Sequence, residues 1–271
     1  MTQSSKTRVP FCAILVAAAG AFAFAQAPIR TCPVTLSSPG NYELTADLTC
    51  AGPNAAISIT SSGVSLRLNG HKILATSGDG IDVVQFGLRL DHVVIQGPGL
   101  ITISSLNASA YGINFQNTDY SQVSQVTTVG AFSGVFGFLC NFLTIGSNVM
   151  ARGTIGVGMN RSNSIAVAGN DTSGNTDGIS FFVGSGNTIN NNTSNGNSNS
   201  GIYLVGSPSR VYGNVTNGNG QYGIYNQTAG GSIFSNRSAE GNGAYDLYDV
   251  APCSAAWSDN VFQTSNGACI R

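Results

Sequence analysis

The segment "GNVTNGNG" at residues 213–220 decides the fold, because related spellings recur along the chain at a fixed interval. The related segments are "SNVMARGT" (147–154), "GNDTSGNT" (169–176), "NNTSNGNS" (191–198) and "SNRSAEGN" (235–242). Their alignment gives a column of asparagines in steps of 22 residues: Asn148, Asn170, Asn192, Asn214 and Asn236. A shorter column with the same step contains Asn175, Asn197 and Asn219. Internal repetition at this period indicates a stacked repeat architecture.

The apolar half of each repeat is typical of a β-strand. Glycine followed by alternating residues recurs in "GINF" (from residue 112), "GVFG" (134), "GVGM" (156), "GISF" (178), "GIYL" (201) and "GIYN" (223). Alternation with period two indicates strands, and the Asn, Gly and Ser residues between them favour turns. Three short strands and three turns in 22 residues form one coil of a parallel β-helix, with coils about 4.8 Å apart. The sequence therefore predicts an all-β, single-stranded parallel β-helix, a solenoid of about nine coils, in which equivalent asparagines hydrogen-bond as a ladder.

The first residues have the pattern of an export signal. Lys6 and Arg8 precede an apolar run from Val9 to Phe24, which is too short for a membrane span. Small residues at its end predict cleavage near Ala25 or Ala27, giving a secreted or periplasmic protein. The predicted organisation is a signal peptide (1–27), an N-terminal cap (28–54), β-helix repeats (55–250) and a C-terminal cap (251–271).

The cysteines predict a disulfide at each end of the solenoid. Cys32 and Cys50 bracket the segment before the first clear coil, and Cys253 and Cys269 bracket the segment after the last. Solenoid ends expose a sheet edge that needs covering, so two disulfides are expected in an oxidising compartment. Cys140 is left over, and a buried free thiol is favoured over a reactive one.

Composition excludes some classes of partner. Charged residues make up 8% of the chain and the formal net charge is −1. No basic stripe is present that could follow a phosphate backbone, so nucleic acid is not an expected partner. A monomer is expected.

The chain resembles the secreted right-handed parallel β-helix proteins of the pectin-lyase-like superfamily. The resemblance is to the short-repeat set that includes the periplasmic nitrous-oxide-reductase accessory protein and carbohydrate-modifying domains. It rests on the "GI" strands, the "GN" turns, the "DGI" turns at Asp79 and Asp177, and "YDLYD" at 245–249, and it covers about residues 55–250. The resemblance and crossover chirality imply a right-handed coil. His71 and His92 are a conceivable metal pair, but the chain has three methionines and no His-rich tract, so no metal or cofactor is expected.

Catalytic motifs are incomplete. "NTDGI" at 175–179 is similar to the first motif of polygalacturonases, yet the Asp-Asp, Gly-His-Gly and Arg-x-Lys motifs of that family do not follow. Asp79 and Asp177 lie at equivalent turns four coils apart, nearly 20 Å at about 4.8 Å per coil. That is too far to share one glycosidic bond. The remaining candidates for a polar site are Asp79 with Asp82 and Asn114, or Asp119 with Arg161.

One predicted column points out of the first strand of every coil: Ser58, Asp82, Asn114, Phe136, Gly158, Ser180, Tyr203, Tyr225 and Tyr248. Tyr203, Tyr225 and Tyr248 are expected to stack, with Phe136, Phe138 and Phe182 on the same sheet. Such rings can take the apolar faces of sugars or pack against another protein, or they can simply stabilise neighbouring coils. Three functions therefore remain open: a polysaccharide- or glycan-binding protein, a lyase, hydrolase or epimerase with a non-standard site, and a structural or adhesive protein.

Overall fold

A computed structural model describes residues 26–104, 109–251 and 254–271. The predicted signal segment lies almost wholly outside these ranges, so its cleavage site stays a prediction. The described residues form strands and turns but no helix. Among them there is accordingly no helix that could cross a membrane.

The molecule is a parallel β-solenoid, as predicted, and its first strands form one ten-stranded sheet. The strands of this sheet are Val34–Leu36, Ile57–Ile59, Ile81–Val83, Ile113–Gln116, Ser133–Phe138, Ile155–Asn160, Asp177–Phe182, Ser200–Val205, Tyr222–Gln227 and Tyr245–Asp249. About nine coils were expected. The additional coil is the first one: its strand Val34–Leu36 lies in the segment predicted as the N-terminal cap and pairs with Ile57–Ile59.

The other strands of each coil form a fourteen-stranded sheet. Its strands are Ala27–Ile29, Gly40–Leu44, Leu48–Cys50, Val64–Arg67, Lys72–Ala75, Val94–Ile103, Gln122–Val129, Thr144–Gly146, Val149–Ala151, Ala166–Ala168, Asn187–Asn190, Ser209–Tyr212, Ser232–Phe234 and Ala256–Ser258. Two short pairs complete the coils: Leu90–Asp91 with Thr118–Asp119, and Arg237–Ser238 with Val261–Phe262.

The core lies between the sheets and consists of aliphatic columns. One column runs through the ten-stranded sheet in register: Ile57, Ile81, Ile113, Val135, Val157, Ile179, Ile202, Ile224 and Leu247. All of these side chains are fully buried. Burying each contributes about 1.5–3 kcal/mol, so every coil adds its own share of the stability.

The asparagine ladder is confirmed. Each Oδ1 accepts from the backbone N–H and from the side-chain amide of the asparagine one coil earlier, at 2.9–3.0 Å, from Asn148 through Asn170, Asn192, Asn214 and Asn236 to Asn260. The shorter column also forms side-chain contacts, from Asn197 to Asn219 and on to Asn242. These amides satisfy turn N–H groups that would otherwise be buried without partners.

Glycines allow the close approach of coils at the start of seven of the ten strands in the ten-stranded sheet. A Cβ placed on Gly178 would lie 2.6 Å from the carbonyl oxygen of Gly201 in the next coil. By contrast, a Cβ on Gly146 would meet nothing closer than 3.6 Å. Glycine is therefore required by packing at the first position and not at the second.

Both ends of the solenoid are fixed by specific contacts. The predicted Cys32–Cys50 disulfide is confirmed. The second predicted pair includes Cys253, which lies outside the described residues, so the Cys253–Cys269 disulfide stays a prediction. At the C-terminal end the buried carboxylate of Asp249 accepts from the indole of Trp257 at 3.0 Å and from the hydroxyl of Ser254 at 2.7 Å. Cys140 is a free thiol in the core, and burial raises its pKa to about 11.

Candidate functional site

The outward face of the ten-stranded sheet holds the predicted column in unbroken register. Consecutive strand pairs align Ser58, Asp82, Asn114, Phe136, Gly158, Ser180, Tyr203, Tyr225 and Tyr248. The residues on either side of this column fill the core, so strand alternation directs the column outward.

The three predicted tyrosines form a stacked ladder. The ring centroids of Tyr203 and Tyr225 lie 4.7 Å apart with planes 10° from parallel, and those of Tyr225 and Tyr248 lie 5.4 Å apart at 6°. The stacking expected from the sequence is present, and because each ring covers its neighbour's face, the ladder presents mainly ring edges and hydroxyls. Partial burial raises the pKa of Tyr203 and of Tyr225, so both hydroxyls remain protonated donors at neutral pH.

Two further tyrosines widen the ladder. Tyr222 lies 5.0 Å from both Tyr225 and Tyr248, and Tyr245 lies 5.5 Å from Tyr248. Tyr222 directly precedes Gly223, and Tyr245 directly precedes the equivalent Asp246 one coil later. The two tyrosines pair with each other in register. Neither tyrosine is among the predicted site residues, although the spelling "YGI" at 222 and "YDL" at 245 places them in one column.

The predicted phenylalanines fall into two groups. Phe182 is 38% exposed and tilts against Tyr203, at a ring distance of 5.7 Å. Phe136 stacks on Tyr111 at 4.7 Å. Phe138 is half-buried two residues further along the strand, and Asn160 separates it from Phe182 in register. The aromatic surface is therefore divided, with its larger part in the C-terminal coils.

The N-terminal coils of the same face form a groove. Four cavities of about 210, 330, 520 and 260 Å³ follow one another among the described residues. Asp82 lines the first two, Thr35 and Ser58 line the second and third, and Phe86, 97% exposed, lines the last two. This set is called the N-terminal groove below. No Lys, Arg or His is among the described residues that line it.

Asp79 and Asp82 lie side by side at one end of the groove, in hydrogen-bonding contact. The backbone N–H of Tyr111 donates to Asp79 Oδ1 at 2.6 Å, and Asn114 Nδ2 donates to Asp82 Oδ1 at 3.2 Å. Burial, together with the hydrogen bond and charge of Asp79, raises the pKa of Asp82 to about 7. Burial and these two carboxyl groups also raise the pKa of the Tyr111 hydroxyl. Asp82 therefore holds its proton up to about neutral pH, next to the carboxyl group of Asp79.

Two other predicted polar candidates are placed differently. Asp177 Oδ1 accepts from the amide of Asn199 at 2.7 Å and from the backbone N–H of Ser200 at 3.0 Å, so its carboxylate joins two successive coils. Burial raises the pKa of Asp177, and these hydrogen bonds oppose the effect. Asp119 forms its ion pair with Arg89 rather than with Arg161. Arg89 lies in an irregular segment that does not follow the 22-residue repeat. The repeat spacing therefore could not place Arg89 beside Asp119.

A separate aromatic column occupies the turn that follows this sheet. Tyr120 and Phe142 stack at 4.7 Å with planes 3° apart, and His92 lies 5.7 Å from Tyr120. All three have φ between 46° and 54°, the left-handed region that side chains rarely adopt. Tyr120 and Phe142 are 22 residues apart, which is one repeat, so their stacking could have been predicted from the sequence. His92 also contacts Asp91, and His71 contacts Asp47, so the two histidines have different acidic neighbours.

One comparison with a solved structure supports the fold. The Dettilon tailspike protein matches with a TM-score of 0.55 and 18% identity, over 79% of this chain and 47% of that one. The chain thus spans about half the length of the tailspike chain. The A-module of mannuronan C-5 epimerase AlgE6 of Azotobacter vinelandii matches with a TM-score of 0.45 and 12% identity, over 90% and 86% of the two chains. The periplasmic alginate epimerase AlgG matches with a TM-score of 0.41 and 14% identity, over 88% and 77%.

The similarity to the tailspike protein concerns the fold alone, and a search of curated proteins by sequence finds no match. A family model is more informative. The model described as "Periplasmic copper-binding protein (NosD)" matches residues 92–268, well over half of the chain. The resemblance to the short-repeat β-helix proteins is thus confirmed, and the chain belongs to the NosD family.

Proposed function

We propose that this protein is exported to the periplasm or cell exterior and binds a polysaccharide along the outward face of its ten-stranded sheet. The observation that carries this proposal is the tyrosine ladder of Tyr203, Tyr225 and Tyr248, extended by Tyr222 and Tyr245. The ladder offers a row of phenol hydroxyls about one coil apart, beside half-buried ring edges. Tyrosine combines apolar area with a hydrogen-bonding group, which suits ligands that are both apolar and hydroxylated.

The length and charge of the face support the same proposal. The ladder and the N-terminal groove lie on one continuous sheet, so an extended chain can follow it across many coils. Apart from Asp79 and Asp82, the lining of the first two cavities of the groove is small and uncharged, and it includes the hydroxyl residues Thr35, Ser58 and Ser109. Neutral hydroxyl and amide groups in a shallow groove favour a hydroxylated ligand over a nucleic acid, which would require basic side chains.

Copper is named in the family description, and we tested whether the residues of this chain fit it. Imidazole, thiolate and thioether groups are the ligands that copper prefers. Met150, Met159 and Cys140 are buried in the core, and His71 and His92 each contact a single aspartate. Nowhere in ranges 26–104, 109–251 and 254–271 do three or more His, Cys, Asp or Glu side chains form a group that could hold a metal ion. These residues do not fit a copper centre, and no function is assigned to the metal.

Acid–base chemistry on a polysaccharide is a second candidate. The specific observation in its favour is the Asp79–Asp82 pair, because a carboxyl group with a pKa near 7 can donate or accept a proton at neutral pH. Against it, the aspartate at the equivalent turn, Asp177, is four coils away and already accepts two hydrogen bonds. Binding therefore remains the better-supported function.

The test is a binding and turnover screen of the exported protein against neutral and acidic polysaccharides. Tyr203→Ala/Tyr225→Ala is expected to lose binding, and Tyr203→Phe/Tyr225→Phe, which keeps the stack, is expected to lose part of it. The matched control is Tyr212→Ala/Phe234→Ala, which removes a stacked pair at 5.1 Å from the fourteen-stranded sheet. Equal loss in the control would contradict the assignment to the ladder. New reducing ends or unsaturated products that disappear in Asp82→Asn would replace binding with catalysis.

A further inference from the structure

We propose that the Asp79–Asp82 end of the N-terminal groove binds a cationic sugar unit, an amino sugar that carries a free ammonium group. This inference rests on the proposed polysaccharide-binding function and specifies the class of ligand. It assigns to the two carboxyl groups the role of holding the positive charge of the sugar.

The first support is the charge of the site. Asp79 and Asp82 are the only charged side chains among the described residues lining the cavities of about 210 and 330 Å³ at this end. No basic side chain of that lining neutralises them, and each is only partly exposed. Two adjacent carboxyl groups without a counterion favour a cation that arrives with the ligand.

The second support is an unpaired acceptor beside the pair. Asn114 is 3% exposed and is directed at Asp82, to which its Nδ2 donates. Its Oδ1 has no hydrogen-bond partner. An ammonium group has three N–H donors and no acceptor. The two carboxyl groups supply acceptors of the kind these donors require, and the unpaired Oδ1 of Asn114 is a further buried acceptor beside Asp82.

The third support is space for a sugar ring. The two cavities are contiguous through Pro53, Ala55 and Asp82. Together they fall in the range of roughly 300–1,000 Å³ that small-molecule sites occupy. The hydroxyls of Ser58, Ser77 and Ser109 line their walls and suit the hydroxyl groups of the same sugar unit.

The state of the pair gives a direction for the pH dependence. The titratable groups facing Asp82 are Asp79 and the phenol of Tyr111. Since burial and Asp79 raise the pKa of Asp82 to about 7, the pair gains negative charge as the pH rises through 7. The affinity for an ammonium group therefore increases over the same interval, until the amine itself loses its proton.

The decisive comparison uses two ligands with the same sugar backbone that differ at the nitrogen, which is a free amine in β-1,4-linked glucosamine oligomers and an uncharged amide in the same oligomers fully N-acetylated. Isothermal titration calorimetry at pH 7 and low salt is expected to show about tenfold or more tighter binding of the free-amine form. The preference should weaken as salt is added, because exposed charge interactions are screened. This comparison needs no variant and so does not depend on the folding of a mutant.

Variants then locate the preference. Asp82→Asn and Asp79→Asn, which keep size and hydrogen-bonding shape, should each reduce it several-fold. Asp177→Asn changes the equivalent turn four coils away and is expected to leave it unchanged.

Three results would overturn the inference. Equal affinity for both oligomers, with binding still lost in the tyrosine double variant, would refute the amino-sugar assignment while the proposed function stands. Absence of binding to either oligomer and to every other polysaccharide would refute both. Tight binding of Ca²⁺ alone, abolished by Asp82→Asn, would assign the pair to a metal ion instead.

Discussion

Replacing the central asparagine of the ladder tests how much the repeated side chain contributes to stability. Asn192 Oδ1 accepts from the backbone N–H of Asn170 at 2.9 Å and from its side-chain amide at 3.0 Å. Its own Nδ2 donates to Val167 O at 2.9 Å and to Asn214 Oδ1 at 3.0 Å. The residue is 1% exposed, so water does not replace these partners.

Asn192→Ala removes all four side-chain hydrogen bonds. The backbone N–H of Asn170 is left buried without an acceptor, at a cost of about 1–3 kcal/mol. The other groups keep partners: the amide of Asn170 retains Ile145 O, and Asn214 Oδ1 retains the backbone N–H of residue 192. Adding about 1 kcal/mol for each of the other three bonds lost gives an expected destabilisation of about 4–6 kcal/mol.

Urea unfolding followed by far-UV circular dichroism measures this loss, provided that the slope of the transition is unchanged. The matched control is Asn190→Ala, since Asn190 is half-buried and pairs with Ala168, which already occupies this position one coil earlier. The control is expected to change stability by about 0.5 kcal/mol or less. A loss below about 1 kcal/mol for Asn192→Ala, or one equal to the control, would refute the reasoning that orphaned turn groups determine the cost.

Three other outcomes follow from the structure. Cys32→Ser/Cys50→Ser, which opens a disulfide of sequence separation 18, should lower the free energy of unfolding by about 3 kcal/mol; reductant should weaken the wild type more than the variant, which keeps only the predicted Cys253–Cys269 disulfide. Gly178→Ala places a Cβ 2.6 Å from a carbonyl oxygen of the next coil and should lower the free energy of unfolding by about 3 kcal/mol. The control Gly146→Ala meets no close atom and should be tolerated. Equal thermal midpoints for the two variants would contradict the packing argument. Asp82 has its pKa raised to about 7 in the folded state, so the native protein binds the extra proton between about pH 4 and 7 and loses stability as the pH rises through this window. Asp82→Asn should therefore gain stability over the wild type at pH 8 by up to about 3 kcal/mol and show no such gain at pH 4, as measured by urea midpoints at the two pH values.

The period of the sequence predicted the solenoid fold because each coil must form the same strands, turns and core contacts as the coil before it. The outward column from Ser58 to Tyr248 followed from counting residues after each glycine, and the ladder followed from the 22-residue step of the asparagines. Both depend on side chains whose neighbours one coil away are chemically alike. The repeat therefore encodes strand register and turn chemistry directly.

The walls of the candidate site were less predictable because the period breaks there. Asp82 and Asn114, which pair in register, are 32 residues apart in sequence, while coils in the middle of the chain contain 22. The extra residues form the turns around the cavities, and they carry Arg89, whose contact with Asp119 replaced the expected one with Arg161. The orientation of the tyrosine rings could not be predicted either. Sequence spacing gives the distance between Tyr203 and Tyr225 along the stack, but it does not give which ring atoms are exposed to solvent.

The stacked register makes the distance between two regions of the same face a discrete quantity. Asp82 and Tyr203 are separated by five strand pairings, or about 24 Å at about 4.8 Å per coil. Duplication or loss of one complete coil would change that distance by a single fixed increment and leave the interior of both regions intact. An insertion of any other length would have to be extruded as a loop, as around Asp82. The distance between the two regions can therefore change in steps of one whole coil, without redesign of either region.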